Sequence, residues 1–274
     1  MAGISLLVPV TMWLILTVGW RWAYGIIGLG GAVILLPLAL WVVRESPESM
    51  GLAPDGLPRE SAASDIVGTE RTAVLHAVRT APFWQLCGGM FTCGFSMSLL
   101  SAHGVPMLTD HGYHGMLASS AVGLLGLSSF AGSMALGAVA DRFGPRPVLA
   151  WLYGTRTLLF AALFLVHGSP TALLIIAALG GTSMSGSLAM TSALTADIFG
   201  RFSVGSVFGT IFVVHQAGAA VGSWLGGVVF ELSGGYGLAF AIASAQLLIA
   251  AAISLTIDDG VRCPPQLRPA IVEP

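Results

Sequence analysis

Eight apolar runs, each close to the length of a membrane-spanning helix, constrain this chain more than any other feature. A helix needs about 20 apolar residues to cross the hydrocarbon core of a bilayer. With 55% hydrophobic and only 9% charged residues, the 274-residue chain has too few polar side chains to cover a water-soluble surface. The sequence therefore predicts an all-α integral membrane protein with eight transmembrane helices. The runs lie at about 2–18, 22–43, 83–107, 116–139, 147–167, 171–195, 204–229 and 236–257.

One long polar segment, 44–80, separates the first two runs from the last six. It carries ten charged residues and three prolines, which is typical of a linker between two membrane bundles. We therefore expect two helices in 1–43, a cytoplasmic loop in 44–80, a six-helix bundle in 81–257 and a tail in 258–274.

Arginine is distributed unequally between the two sets of connecting segments. The loops at 44–80, 140–146 and 197–203 and the tail together carry nine arginines, whereas the opposite loops carry only Arg21. Arginine and lysine accumulate on the cytoplasmic side of membrane proteins. This asymmetry predicts a multi-pass protein of the inner (plasma) membrane, with both termini in the cytoplasm.

Several function classes lack support in the sequence. The net charge of −2 and the absence of lysine give no basis for a nucleic-acid partner. The three cysteines have no metal-ligand spacing, and the chain contains no hydrolase, zinc-protease or ATP-binding motif. We therefore predict neither an enzyme nor a bound metal or cofactor, and any transport would be driven by a solute or ion gradient.

A short charged turn connects the runs 116–139 and 147–167. Its glycines allow the chain to turn, its arginines favour the cytoplasmic side, and its aspartate could pair with them or lie at a helix end. The string G-x-x-x-D-R-x-G-x-R resembles the loop signature of major facilitator superfamily transporters, although Leu149 stands where that family usually has a further basic residue. The signature positions are Gly137, Asp141, Arg142, Gly144 and Arg146.

A second resemblance extends over nearly the whole chain. The segment Phe199–Gly209, with Gly218, Gly222 and Gly234 after it, is similar to helices ten to twelve of monocarboxylate-type members. The first two runs then correspond to helices five and six, so the resemblance implies helices 5–12 of a twelve-helix protein and suggests a truncated chain.

Members of this family rock two six-helix halves about a site near the midplane. The resemblance implies secondary transport of a small solute, with an organic anion or monocarboxylate as the best guess and a coupling proton as an option. The alternative is a truncated, non-transporting membrane module that assembles with another chain.

Five side chains within or near the runs are candidates for solute binding. Arg156 lies roughly 15 Å into its run, where a guanidinium could bind an anion, form an internal ion pair or extend towards the cytoplasm. His103 could bind solute, relay a proton or only bond a helix-end carbonyl. For His215 and Gln216 we expect at most one to face a cavity and favour a hydrogen bond between helices, and for Gln85 we favour an interfacial role.

The ends of the runs offer a different kind of site. Asp197 could pair with Arg142 or Arg146 and hold the cytoplasmic side closed, together with Asp141. Exposed ion pairs are individually weak, which suits a contact that must open. The alternative is that these charges serve topology and solubility alone.

Glycine spacing in the run 204–229 predicts close helix packing. Gly205 and Gly209 form one G-x-x-x-G pair, and Gly218, Gly222 and Gly226 continue the pattern along one face. Small faces let backbones approach where lipid gives no hydrophobic drive between helices. A sliding seam is the alternative use of such a face.

Overall fold

The structure, a computed structural model, describes residue 14 and residues 17–42 and 72–258. These residues are α-helical, with short 3₁₀ and π-helical turns, and none of them lies in a strand. They fall into two compact units, one made of the described residues up to 42 and the other of those from 72 onward. Most of the run 2–18, most of the linker and the tail lie outside the described residues.

In the first unit, the structure describes a strongly apolar helix whose one charged residue is Arg21. Helix α1 spans Trp20–Pro37 and continues into a π-helical turn at Leu38–Val42. It begins directly after Gly19, whose φ of 81° suits glycine. The helix matches the predicted run 22–43.

The second unit is a bundle of long helices that follows a single turn of helix. The bounds are α2 Val74–Ala77, α3 Ala81–Asp110, α4 Gly115–Phe143, α5 Pro145–Leu165, α6 Pro170–Gly181, α7 Gly186–Phe199, α8 Val204–Ser233 and α9 Gly237–Leu255.

Six segments of the described chain are long and apolar enough to cross a membrane. They match the predicted runs from 22–43 to 236–257, except 83–107. That run does form α3, a helix of 30 residues, but α3 is not among the six. It packs along α8 and α9, and its polar residues Thr92 and Ser96 are buried within the bundle.

The predicted run 171–195 is not one continuous helix. It is divided into α6 and α7 by a break at Thr182–Ser185. Hydroxyl groups there compete for backbone carbonyls, since the side chains of Thr182 and Ser183 donate to the oxygens of Leu179 and Gly180 at 2.7 Å. Local bonds of this kind favour a turn over continued helix.

The predicted close packing of the 218–226 face is confirmed. A Cβ added to Gly218 would overlap the carbonyl oxygen of Phe91 on α3, and one added to Gly222 would overlap that of Phe95. By contrast, Gly205 and Gly209 have no neighbouring atom at the place where a Cβ would lie. Only the second half of α8 therefore uses its glycines to approach α3.

Helix ends of the second unit gather on two opposite sides. On one side, the start of α3 bonds the end of α9 through Gln85 and Thr256, and Arg146 donates to the carbonyl oxygen of Leu255. On the other side, the end of α3 meets the α5–α6 connection, where the hydroxyl of Tyr113 lies 3.4 Å from the carbonyl oxygen of Ser169. In residues 72–258, the arginines at helix ends all lie on the first side: Arg79, Arg142, Arg146 and Arg201.

We expect Gly218→Ala to lower the free energy of unfolding in detergent by roughly 1–3 kcal/mol, because the new methyl group overlaps the α3 backbone. The matched control is Gly209→Ala on the same helix, which has free space and should be neutral or slightly stabilising. Thermal unfolding of the purified variants measures both effects. Equal melting temperatures for the two would contradict the assigned packing.

Candidate functional site

A cluster of polar side chains lies in the interior of the second unit, where α3, α5, α7 and α8 meet. We call it the core polar cluster. Every member is at least nine-tenths buried. The residues come from near the middle of α3, α5 and α8 and from the first half of α7, so the cluster lies close to mid-span. Its members are Cys93, Tyr153, Arg156, Ser187, Thr191 and His215.

The guanidinium of Arg156 is the centre of this cluster and is fully buried. Its Nη2 donates to the carbonyl oxygens of Ser183 at 2.6 Å and Met184 at 2.8 Å, both in the break between α6 and α7. The same nitrogen lies 3.4 Å from the hydroxyl of Ser187, and Nη1 lies 3.3 Å from the sulfur of Cys93. The break in the helix therefore supplies the carbonyls that solvate the cation.

This arrangement differs from the structural roles that the sequence suggested for Arg156. The side chain does not extend to an aqueous surface, and its acceptors among the described residues are neutral. Its Nε is buried without a hydrogen-bond partner, and thiol sulfur is a weak acceptor for Nη1. The guanidinium thus keeps donor capacity and a positive charge that no described carboxylate neutralises.

Helix α4 contacts the break from another direction. The hydroxyls of Ser129 and Ser185 bond each other, and that of Ser185 also lies 2.8 Å from the carbonyl oxygen of Ser129. A Cβ added to Gly132 would overlap Thr182. Hydroxyls, a close glycine contact and the guanidinium together fix the non-helical backbone at 182–185.

His215 faces the interior, whereas its neighbour Gln216 is exposed. The imidazole Nδ1 lies 3.0 Å from the Gln216 carboxamide oxygen, and the ring stacks on Phe212 with centroids 5.1 Å apart. Its Nε2 is buried and has no hydrogen-bond partner among the described residues. A bond within α8 orients the ring, and a side-chain contact with Cys93 joins the ring to α3. The predicted bond between helices stays a prediction.

His103 and Gln85 lie outside the core polar cluster, towards opposite ends of α3. The Nε2 of His103 bonds the carbonyl oxygen of Ser223 at 2.9 Å, the carbonyl contact that the sequence left open. Gln85 donates to the hydroxyl of Thr256 at 3.1 Å. The structure therefore brings Arg156 and His215 together, but neither His103 nor Gln85 joins them.

The charged turn connects α4 to α5. Asp141 and Arg142 are in the last turn of α4, and Gly144, with a φ of 83°, reverses the chain before α5. Gly137 is exposed one turn earlier. Because the C-terminal end of a helix is electronegative, Asp141 lies where a carboxylate is disfavoured.

Asp197 is exposed in the last turn of α7. Its pairing with Arg142 or Arg146 stays a prediction. The Arg146 side chain donates to the carbonyl oxygen of Leu255 at the end of α9, and the guanidinium carbon of Arg142 lies 5.7 Å from the centroid of the Phe143 ring.

An apolar cleft of about 440 Å³ lies beside α4 and α5 and reaches the break at Gly132 and Thr182. It could accommodate an apolar group, but it offers no charged or acid–base side chain. Among the described residues, moreover, no group of three acidic, histidine or cysteine side chains could hold a metal ion. The lining residues are Gly132, Ala135, Leu136, Val139, Phe143, Pro147, Val148, Trp151 and Thr182.

Sequence reasoning missed most of the core polar cluster. The sequence pattern singles out neither Cys93 nor Tyr153, Ser187 and Thr191. The signal that could have found them is the stretch 180–187, in which glycines and hydroxyl residues crowd the middle of an apolar run.

Comparison with protein families gives one matching family model, described as Major Facilitator Superfamily, which covers residues 1–155 and 86–269. A relative from Bacillus subtilis (strain 168), the "Uncharacterized MFS-type transporter YcxA", is 28% identical over 262 residues, which are 93% of this chain and 60% of the relative.

Two mammalian relatives carry the name "Monocarboxylate transporter 13". The Bos taurus protein is 23% identical over 91% of this chain and 55% of its own length. The Rattus norvegicus protein is 22% identical over 93% of this chain and 56% of its own length. The chain therefore spans between 55% and 60% of the length of these three relatives.

We expect Arg156→Lys to destabilise the bundle by roughly 1–3 kcal/mol, because one ammonium group cannot replace the forked donor and leaves a buried carbonyl unpaired. The exposed Arg142→Lys is the matched control and should change stability by less than about 0.5 kcal/mol. Denaturation in detergent measures both, and equal stability of the two variants would contradict the role assigned to the guanidinium.

A pH effect is expected at the helix ends opposite the arginines. The His111 ring stacks on His167 at 4.1 Å, and burial, followed by the charge of His167, lowers the pKa of His111. The folded state thus favours neutral His111. Its stabilisation is complete above the ordinary pKa of 6.5 and is lost as the pH falls from there through the lowered value.

Melting temperatures of the wild type and of His111→Gln, measured across that pH window, test this effect. The difference between the two proteins should change as the solution is acidified. A difference between the two proteins that stays constant across this window would contradict the assignment.

Proposed function

Because the chain belongs to the Major Facilitator Superfamily, we propose that it acts as a secondary transporter of a small organic anion, with a monocarboxylate as substrate and a proton moving with it. Transport would occur by alternating access, in which two helical bundles rock about a site near the midplane. Membrane location and a transporter-type helical fold follow from the family and from the six apolar helices.

The buried charge of Arg156 is the observation that supports an anionic substrate most directly. A cation at mid-span is costly in a bilayer, and such residues commonly mark a solute or ion pathway. Here the cation is fully buried, is solvated by backbone carbonyls and keeps an unpartnered Nε. A carboxylate is the ligand that a guanidinium binds best. The relatives named monocarboxylate transporter support the same class.

The broken helix supports a site at this depth. Discontinuous helices free backbone groups that can take part in binding, and they occur at the midplane sites of transporters. In this chain the break at 182–185 adjoins Arg156 directly. We propose that solute reaches the guanidinium when the contacts around the break rearrange.

Orientation and domain boundaries complete the proposal. The side of the second unit that carries Arg79, Arg142, Arg146 and Arg201 is assigned to the cytoplasm of the inner membrane. The segment 44–80 would then be a cytoplasmic loop between residues 1–43 and the bundle 81–257, and 258–274 a cytoplasmic tail. The G-x-x-x-D-R-x-G-x-R turn would lie at the cytoplasmic gate.

Uptake of radiolabelled lactate into proteoliposomes tests the proposal. We expect accumulation by the wild type and an approximately 10- to 150-fold loss of apparent affinity in Arg156→Ala, since a charge-assisted hydrogen bond contributes about 1.5–3 kcal/mol. Arg79→Gln removes an exposed cation and serves as the control.

Unchanged uptake by Arg156→Ala would remove this residue from the site. The competing hypothesis, a non-transporting module that assembles with another chain, predicts no uptake by the wild type alone.

A further inference from the structure

The hydrogen bond between His215 and Gln216 fixes which imidazole nitrogen is basic. A carboxamide oxygen can only accept, so Nδ1, at 3.0 Å from the Gln216 oxygen, carries the hydrogen and donates it. The neutral ring then holds its lone pair on Nε2. That atom is buried and meets no partner at hydrogen-bond geometry in the described part of the chain, while the Cys93 thiol lies beside the ring. A buried, unpaired proton acceptor therefore points into the core polar cluster.

The charged and titratable groups around this nitrogen come from two neighbouring helices. Cys93 lies on α3, and Tyr153 and Arg156 lie on α5, while Ser187 and Thr191 of α7 do not titrate. Among these groups only Arg156 carries a fixed charge. With the Cys93 thiol and the Tyr153 phenol protonated, the cluster has one positive charge when the imidazole is neutral and two when it is protonated.

We propose that Nε2 of His215 is the binding site of the coupling proton, and that the solute carboxylate binds beside it at Arg156. This inference rests on the proposed function. A proton from water on one side adds to the Nε2 lone pair and gives an imidazolium ion, and the same N–H bond breaks when the proton leaves on the other side. No other covalent bond changes.

The charges of the cluster make the binding of a proton and the binding of an anion cooperative. A proton on His215 adds a second cation to a poorly solvated region, where like charges repel strongly. A bound carboxylate removes one of those charges and could accept the new N–H. Because linkage is reciprocal, the anion strengthens proton binding by the factor by which the proton strengthens anion binding.

Gln216 gives this site a connection to the surface of α8. Its side chain is exposed, while that of His215 is buried, so the bond between them joins the outer face of the helix to the cluster. His103 lacks these features, because its Nε2 already bonds the Ser223 carbonyl and no described cation contacts it. His215 is therefore the imidazole that the structure favours.

Two transport modes in proteoliposomes test the inference. We expect His215→Gln to lose accumulation of labelled lactate driven by an inward proton gradient, but to retain lactate–lactate exchange at equal pH on both sides. His76→Gln, a histidine outside the long helices, is the control and should resemble the wild type. Wild-type accumulation by His215→Gln would overturn the inference.

Nitrogen-15 spectroscopy tests proton binding by His215 independently of transport. In nitrogen-15 spectra of histidine-labelled protein in nanodiscs, the His215 signal is the one missing from His215→Gln. We expect its Nε2 to become protonated on acidification, and sodium lactate to move the titration to higher pH. A nitrogen still unprotonated at about pH 4, or a titration that lactate does not shift, would overturn the inference.

If wild-type protein takes up no lactate in any gradient, the proposed function fails. The nitrogen titration would still decide whether His215 binds a proton.

Discussion

The hydrogen bonds between the Arg156 guanidinium and the backbone at Ser183 and Met184 are the interaction on which the arrangement of this bundle depends. A cation that is fully buried among transmembrane helices needs acceptors. A continuous helix offers fewer free acceptors, because its carbonyls already bond its own amides. The break between α6 and α7 therefore gives the Arg156 cation backbone acceptors that an unbroken helix would have to share.

The surroundings of the break show how such a structure is held together. On one side it bonds the guanidinium, and on another Ser129 and Ser185 join α4 to it through their hydroxyls. Glycine at position 132 lets α4 approach the break more closely than any larger residue would allow. Most of these acceptors and donors are neutral, so the single charge of Arg156 dominates the electrostatics of the interior.

Much of the fold could be predicted from hydropathy alone. The apolar runs correspond to helices in the described residues, and the glycine face at 218–226 packs as expected. Two features could not be predicted in this way. The break at 182–185 lies within an apolar run, and the weaker apolar character of α3 reflects its position among other helices. Both depend on tertiary contacts that composition does not record.

The candidate site was only partly predictable, for the same reason. The sequence singles out Arg156 and His215 as polar residues in apolar runs, but it cannot show that they share one cluster with Cys93. It also could not show that Arg156 uses backbone carbonyls rather than a carboxylate. Whether Asp197 pairs with the charged turn depends on the distance between helix ends, which spacing along the chain does not give.

Hydrogen–deuterium exchange of the backbone amides in residues 182–188 tests the central dependence most directly. If Arg156 fixes the break, replacing it with glutamine should accelerate exchange across this segment and leave the amides in the middle of α9 unchanged. Equal exchange at 182–188 in the wild-type and Arg156→Gln proteins would contradict the account.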